Sequence, residues 1–141
     1  MRPAKWFFND HIKTVATPSI WGSGLAQWVG YFMEPKARVV NATPLADGSL
    51  AIAPMAADLV AGQRVLLIDN LIISGATIER FVHLTEQLGG EVVGIATLWR
   101  SGPPTIAGHR VYSVLNDVYE AFPADACPFC QAGNPAEVVG Y

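Results

Sequence analysis

The sequence predicts an α/β fold: a single-domain parallel sheet flanked by helices. Three observations lead there. Short apolar runs, the clearest being VLLI at 65–68, are bounded by Gly, Pro and Asp, as expected of strands covered on both faces. They alternate with segments of helical spacing, above all ATIERFVHLTEQL at 76–88, and such alternation builds parallel strands joined by helical crossovers. The chain has 141 residues, 51% apolar and 15% charged, which suits one globular core, and it contains no internal repeat or low-complexity segment.

Residues 1–12 form a short, aromatic-rich opening segment. HIKTVAT (11–17) contains the first strand, and PSIWGSG (18–24) is a turn punctuated by Pro18, Gly22 and Gly24. Over 24–34, Leu25, Trp28, Val29 and Phe32 share one helical face, and Pro35 stops the helix. ARVVNAT (37–43) is the second strand. Residues 44–60 make a longer connection with a hairpin at Asp47-Gly48. The third core strand runs from Gln63 to Asp69. The helix over 76–88 turns Ile78, Phe81, Val82, Thr85 and Leu88 inward and closes at Gly89-Gly90. EVVGIATLW (91–99) and RVYSVLN (110–116) complete the sheet. Residues 1–120 are thus the core, and 121–141 a loop-rich tail.

The net charge is −3 and no basic stripe is present, so no nucleic-acid partner is expected. No apolar run reaches the ~18 residues that a bilayer span needs, and no membrane association is expected. The first residues, MRPAKWFFNDHIK, lack the unbroken apolar stretch of a secretory signal. A cytoplasmic protein is therefore expected. Cys127 and Cys130 stand in the tail motif CPFC, too few for a disulfide scaffold. Three readings stand: a reduced turn near solvent; half of a zinc site completed by another chain; and a thioredoxin-type redox motif. The last fits least, because that chemistry wants the first Cys at a helix N-terminus within a βαβ unit and this pair sits after the last strand, near the chain end.

The stretch VLLIDNLIISGAT (65–77) carries the chemistry. A strand ends in Asp69; a turn, Ile73-Ser74-Gly75-Ala76-Thr77, then opens the next helix. Ligands of open parallel sheets sit beyond the carboxyl ends of the strands. Free N–H groups and the dipole make a helix N-terminus a phosphate site. Gly75 admits close backbone approach, Ser74 and Thr77 add hydroxyls, and ionised Asp69 only accepts hydrogen bonds, as sugar hydroxyls require. A phosphorylated sugar satisfies all of these. Each feature alone also has a bland reading, an N-cap or a tight turn; their joint spacing does not. The stretch lacks the Gly-Lys-Ser/Thr of a P-loop and the Gly-x-Gly-x-x-Gly of dinucleotide folds.

VLLIDNLIISGAT resembles the PRPP-binding motif of the type I phosphoribosyltransferases: apolar strand, two acidic positions, then a Thr-Gly-Gly/Ala-Thr loop. VATPSIWGSGLA (15–26) resembles the family's pyrophosphate loop. LTEQLGGEVVGIATLWRSG (84–102) is similar to the helix and strand that follow the motif, and CPFCQAGNP (127–135) is similar to a tail of orotate phosphoribosyltransferase-like members. The resemblance covers roughly residues 13–135. It implies a Rossmann-like, type I phosphoribosyltransferase core and transfer of phosphoribose from PRPP to a nitrogenous base, orotate first, with pyrophosphate released. It also implies Mg²⁺ as cofactor, a homodimer and a role in nucleotide biosynthesis. Asp69 and Asn70 become the catalytic pair. Residues Ile73, Ser74, Gly75, Ala76 and Thr77 take the 5′-phosphate, and Thr17, Pro18, Ser19, Trp21 and Gly22 the pyrophosphate. No side chain is assigned as a metal ligand.

Three departures from the family pattern frame an alternative, a catalytically impaired PRPP- or nucleotide-binding relative. Asn70 stands at the second acidic position. Residues 39–63 contain no Lys or Arg, where the family places loop cations; Lys36 and Arg38 lie just before and are expected to point away from the site. Losing one aimed cation costs on the order of a hundredfold. Only about a dozen residues precede the first strand, so the hood over the base is reduced or absent. Trp6, Phe7 and Phe8 read as buried packing, or as a lid or dimer contact. Trp21 crowds the pyrophosphate loop or stacks on a ligand. Arg100, just past a strand end, either reaches the cleft or stays on the surface. His11, His83 and His109, with Glu79 and Glu86, read as surface or loop residues.

Overall fold

The structure, a computed structural model, describes residues 6–7, 10–33, 35–117 and 122–134. Phe8 and Pro135, named above, and residue 34 at the end of the expected 24–34 helix lie outside them. Parallel strands β1 (Thr14–Thr17), β2 (Arg38–Pro44), β4 (Arg64–Ile72), β5 (Glu91–Arg100) and β7 (His109–Leu115) form the centre of a seven-stranded sheet. Its order is β3-β2-β1-β4-β5-β7-β6. The two edges, β3 (Leu50–Ile52) and β6 (Thr105–Ile106), are antiparallel, so the sheet is mixed where an all-parallel one was expected. Both edge strands are short return arms of tight turns, and a tight turn only permits antiparallel pairing.

The central strands carry apolar side chains on both faces, and the helices account for it. Leu66 and Ile68 point to one face, where Val15, Leu25, Ala26 and Val29 meet them. Val65 and Leu67 point to the other, packed with Ile78, Phe81 and Val82. The first face is covered by α1 (Ile20–Phe32) and the second by α3 (Ala76–Gln87). A short α2 (Pro54–Ala57) follows β3. Phe7 is buried on the first face; its ring meets Tyr112 edge-on at 4.9 Å, and a Cβ on Gly94 would fall 2.5 Å from it. Of the readings for the aromatic opening segment, packing is the one seen for Phe7.

Four boundaries differ from expectation. The first helix begins at Ile20, not at residue 24, because Gly22 and Gly24 sit inside it. Its buried residues are Gly22, Leu25, Ala26, Val29 and Gly30. Trp28 and Phe32 are turned outward, 59% and 45% exposed, and stack on each other at 6.0 Å. Small residues at 22, 26 and 30 let the helix lie close to the sheet, so the bulky aromatics are displaced to the far side. Strand β4 runs three residues past Asp69, because Leu71 and Ile72 still pair with Trp99 and Arg100. The tail holds a 3-10 turn (Ala124–Ala126) and a one-turn helix α4 (Pro128–Gln131). The two-residue β6 had no signal of its own in the sequence.

Phe81 is fully buried at the centre of the α3 face. Phe81→Ala should cost about 3–5 kcal/mol, read as a lowered urea midpoint, and preserve the m-value if the fold is kept.

Candidate functional site

At the carboxyl edge of the sheet two helices begin on either side of Asp69. The first approach is the turn after β1. Thr17 is fully buried and its hydroxyl donates to the Ser19 carbonyl at 3.2 Å, closing the 17–19 turn. Ser19 is the N-cap of α1, with extended backbone, yet its side chain makes no capping bond. It hydrogen-bonds to Asp69 instead. Gly22 follows in the first turn, where a Cβ would sit 2.1 Å from Thr17 Oγ1 and 3.3 Å from Asp69 Oδ1. Only glycine lets this helix N-terminus come down onto the strand ends.

The second approach is the 73–77 turn. Gly75 is the N-cap of α3 with φ 85°, the left-handed region, and a Cβ there would also meet Ile106 Cδ1 at 2.8 Å. Ser74 Oγ accepts the Ala76 N–H at 3.3 Å. Ile73, Ser74, Ala76 and Thr77 are exposed. Asp69, Ser74, Gly75 and Thr77 line one cleft of about 240 Å³, walled by Ile72 and Ile78. The turn is supported from beneath by a segment that sequence reasoning missed. The N–H groups of Ser101 and Gly102 donate to the Ile72 carbonyl at 2.9 and 3.3 Å. A Cβ on Gly102 would overlap the Ile73 carbonyl at 1.9 Å. Glycine after a strand was a visible signal; its partner, 29 positions upstream, was not.

Asp69 itself is only 8% exposed. Burial raises its carboxyl to about 6, against the opposing pull of the Asn70 N–H, which donates to Oδ1 at 2.9 Å, and of Ser19. The group is therefore an ionised acceptor near neutrality, held in a water-poor corner between two helix N-termini. Such a corner suits a molecule that brings hydroxyls to the carboxylate and anions to the backbone amides.

The remaining candidates divide. Asn70 follows Asp69 but is exposed. Trp21 projects outward from α1, 65% exposed, rather than filling the loop. Arg100 does not enter the Asp69 cleft. Its guanidinium donates to Asn116 Oδ1 at 2.8 and 3.2 Å and to the Gly102 carbonyl at 2.8 Å. It lines a separate cleft of about 400 Å³ with Trp6, Arg110 and Tyr112. Arg38 pairs with Thr14 at the opposite end of the strands from Asp69, as expected, and Lys36 lies over the Tyr31 ring at 4.2 Å. Arg80 ties α3 to the hairpin, donating to the Gly48 and Ala76 carbonyls. His109 and His83 approach the Glu86 carboxylate at 3.6 and 3.9 Å, a surface cluster away from the cleft. Among the described residues no three His, Cys, Asp or Glu side chains gather to hold a metal. No helix among them is long and apolar enough to cross a membrane.

Comparison with known proteins identifies a family. The family described as phosphoribosyl transferase domain matches residues 32–124. An orotate phosphoribosyltransferase of Desulforamulus reducens is 28% identical over 134 residues, 94% of this chain and 68% of its own. An adenine phosphoribosyltransferase of Streptomyces coelicolor is 40% identical over 89 residues, 57% of this chain. The chain spans only 49% of that relative's length. Among solved structures, an adenine phosphoribosyltransferase of Thermoanaerobacter pseudethanolicus superposes with a TM-score of 0.67 at 24% identity, over 82% of this chain and 77% of that one.

The raised Asp69 carboxyl gives a stability prediction whose sign follows from linkage. A carboxyl with a folded value of about 6 against an ordinary 3.8 favours the native state below pH 4 and loses that contribution as pH rises through 6. Asp69→Asn, which removes the buried charge and keeps the shape, should match the native chain at pH 4. At pH 8 it should be more stable by about 1–3 kcal/mol, measured by urea denaturation at both pH values.

Proposed function

The chain belongs to the phosphoribosyl transferase domain family, and from that premise we propose that it moves phosphoribose from PRPP to a nitrogenous base, releasing pyrophosphate. The observation that carries this reading is the pairing of two helix N-termini around one buried carboxylate. PRPP has two anionic ends separated by a hydroxylated ribose, and the corner offers two amide-lined turns separated by an acceptor. Ile73, Ser74, Gly75, Ala76 and Thr77 take the 5′-phosphate, Thr17, Pro18, Ser19, Trp21 and Gly22 the pyrophosphate, and Asp69 with Asn70 the ribose hydroxyls.

In this reading a base nitrogen attacks C1 of the ribose as the C1–oxygen bond to pyrophosphate breaks. Positive charge grows on the sugar and negative charge on the leaving group. Asp69, ionised above pH 6, sits beneath the sugar, and the N–H groups of the α1 turn face the leaving group, which is where preorganised dipoles lower a barrier. The residues suit a Mg²⁺ that arrives on the substrate rather than one caged by protein. Mg²⁺ commonly combines one or two carboxylates with substrate phosphates and waters, and Asp69 with the Asn70 amide supplies only that much. When bound, the ion would neutralise part of the pyrophosphate charge. Orotate is the base we place first, on the 94% coverage of this chain by its orotate-named relative; adenine is the competitor. We further propose a cytoplasmic location and a homodimer, the latter supported by the exposed aromatic cluster Trp28, Tyr31 and Phe32 of α1. The role is nucleotide biosynthesis.

A second reading has its own support: a relative that binds PRPP as a sensor or partner module without turning it over. Residues 39–63 hold no Lys or Arg, and the second acidic position is Asn70. Arg80, which reaches the hairpin, donates to two carbonyls. Protein, PRPP and Mg²⁺ mixed with a panel of bases distinguish the two. Pyrophosphate release with one base supports transfer; a PRPP-induced rise in melting temperature with no release supports the sensor. No shift at all defeats both.

Asp69→Ala should abolish the PRPP-induced shift while leaving the circular dichroism spectrum unchanged. In the native chain PRPP affinity should weaken roughly tenfold per unit as pH falls below about 6, where Asp69 takes up its proton. Calorimetric titration at pH 5 and pH 7.5 checks this; equal affinity would remove Asp69 from the ribose contact.

A further inference from the structure

A chain of hydrogen bonds runs from the end of β7 to the underside of the 73–77 turn. Asn116, just past β7, holds the Arg100 guanidinium through its side-chain oxygen, which accepts from Nε at 3.2 Å and from Nη2 at 2.8 Å. The Ser113 hydroxyl donates to the same oxygen, so the amide turns its acceptor end to the arginine. Arg100 closes β5, and its Nη1 donates to the Gly102 carbonyl at 2.8 Å. Gly102 in turn donates its N–H to the Ile72 carbonyl at 3.3 Å, beside the Ser101 N–H at 2.9 Å. It lies so close under the Ile73 carbonyl that a Cβ has no room. The seat continues along the same segment: a Cβ on Gly75 would stand 3.7 Å from Pro103 Cγ and 2.8 Å from Ile106 Cδ1.

Arg100 is half-buried, and none of the ion pairs among the described residues engages it. Its partners are a neutral amide and a peptide carbonyl. A guanidinium is a rigid planar fork, so one side chain grips both partners in a fixed geometry: Asn116 sets its plane, and the plane sets Gly102. The turn above has few supports of its own. Ile73, Ser74, Ala76 and Thr77 are exposed, and the bond from the Ala76 N–H to Ser74 Oγ is local. A turn that must offer a fixed set of N–H donors to an anion binds better when it is held in place before the ligand arrives.

We propose that Asn116 and Arg100 are positioning residues for the 73–77 turn. Together they hold Gly102 against Ile72 and Ile73, and so preset the N–H groups above it. Neither side chain lines the Asp69 cleft; both act through Gly102. That the anion is the 5′-phosphate of PRPP rests on the transfer reading, whereas the positioning itself does not.

Amide order parameters of the ligand-free full chain, from ¹⁵N relaxation, report the turn directly. In the native chain residues 73–77 should be as rigid as the strands, at about 0.85, and in Asn116→Ala and Arg100→Ala they should fall below about 0.6. Residues 17–22 should keep their native values. The double variant should be no looser than either single one, because the two residues act as a unit. Asn116→Asp, which keeps an acceptor for both Nε and Nη2, should restore the native values. PRPP affinity, measured by calorimetry, should weaken roughly tenfold in the alanine variants, as expected for losing one hydrogen bond to a charged group, and recover in Asn116→Asp. A merely structural pair would loosen the whole sheet and lower the urea midpoint with no selectivity for the turn. That outcome, a native turn already below about 0.6, unchanged order at 73–77 in the alanine variants, or Asn116→Asp as loose as Asn116→Ala would each overturn the proposal. Failure of PRPP to bind the native chain would sink the transfer reading alone, since the order parameters decide this inference without ligand.

Discussion

The carboxylate of Asp69, buried at the carboxyl edge of a packed sheet, is the constraint on which the site depends. An ionised carboxyl in such a place is unfavourable unless donors are aimed at it. Two are: the Asn70 N–H at 2.9 Å and the Ser19 side chain. Ser19 serves Asp69 at the expense of its own helix, since it makes no capping bond to α1. Gly22 then brings that helix to within 3.3 Å of the carboxylate, measured to where its Cβ would be. That close approach contributes to the burial that raises Asp69 to about 6.

The opposite side of the cleft is built with equal economy of space. Gly75 adopts a left-handed conformation under Ile106, and Gly102 lies directly beneath the Ile73 carbonyl. Side chains larger than hydrogen at 22, 75 or 102 would clash with Thr17, Ile106 and the Ile73 carbonyl and push these segments apart. The three come from the segments after β1, β4 and β5, adjacent strands of a parallel sheet. A parallel sheet delivers all of its strand ends to one edge, so residues 53 positions apart, Gly22 and Gly75, become the two sides of one corner.

Much of this was legible in the residues. The run VLLI at 65–68 is buried on both faces, and Ile78, Phe81, Val82 and Thr85 form the inner stripe of α3, because local periodicity is decided by burial. The Ser-Gly-Ala-Thr turn was legible for the same reason: Gly75 and Ser74 act through their own backbone neighbourhood. What was illegible depends on contacts across the fold. Trp28 and Phe32 carry apolar side chains yet face outward, since the sheet selects the small residues of α1 rather than its most hydrophobic ones. Arg100 stands at a strand end, as the cleft would require, but Asn116 on the neighbouring strand end captures it. No spacing rule encodes that competition.

The proposed role of Asp69 as a binding rather than a structural carboxylate rests on where its unfavourable energy is relieved. A structural carboxylate in the interior is commonly matched by an Arg or Lys, which makes the folded protein the state of lowest charge cost. None of the ion pairs among the described residues involves Asp69, and its donors are one amide and one hydroxyl. The native state therefore carries a partly compensated negative charge, beside a turn whose Ser74 and Thr77 are exposed. In the proposed reading, ribose hydroxyls would donate to the carboxylate and complete its shell, with anions on either side at the helix starts. The proposed binding draws on this incomplete compensation: an amide and a hydroxyl meet Asp69, and none of the ion pairs among the described residues brings a cation to it.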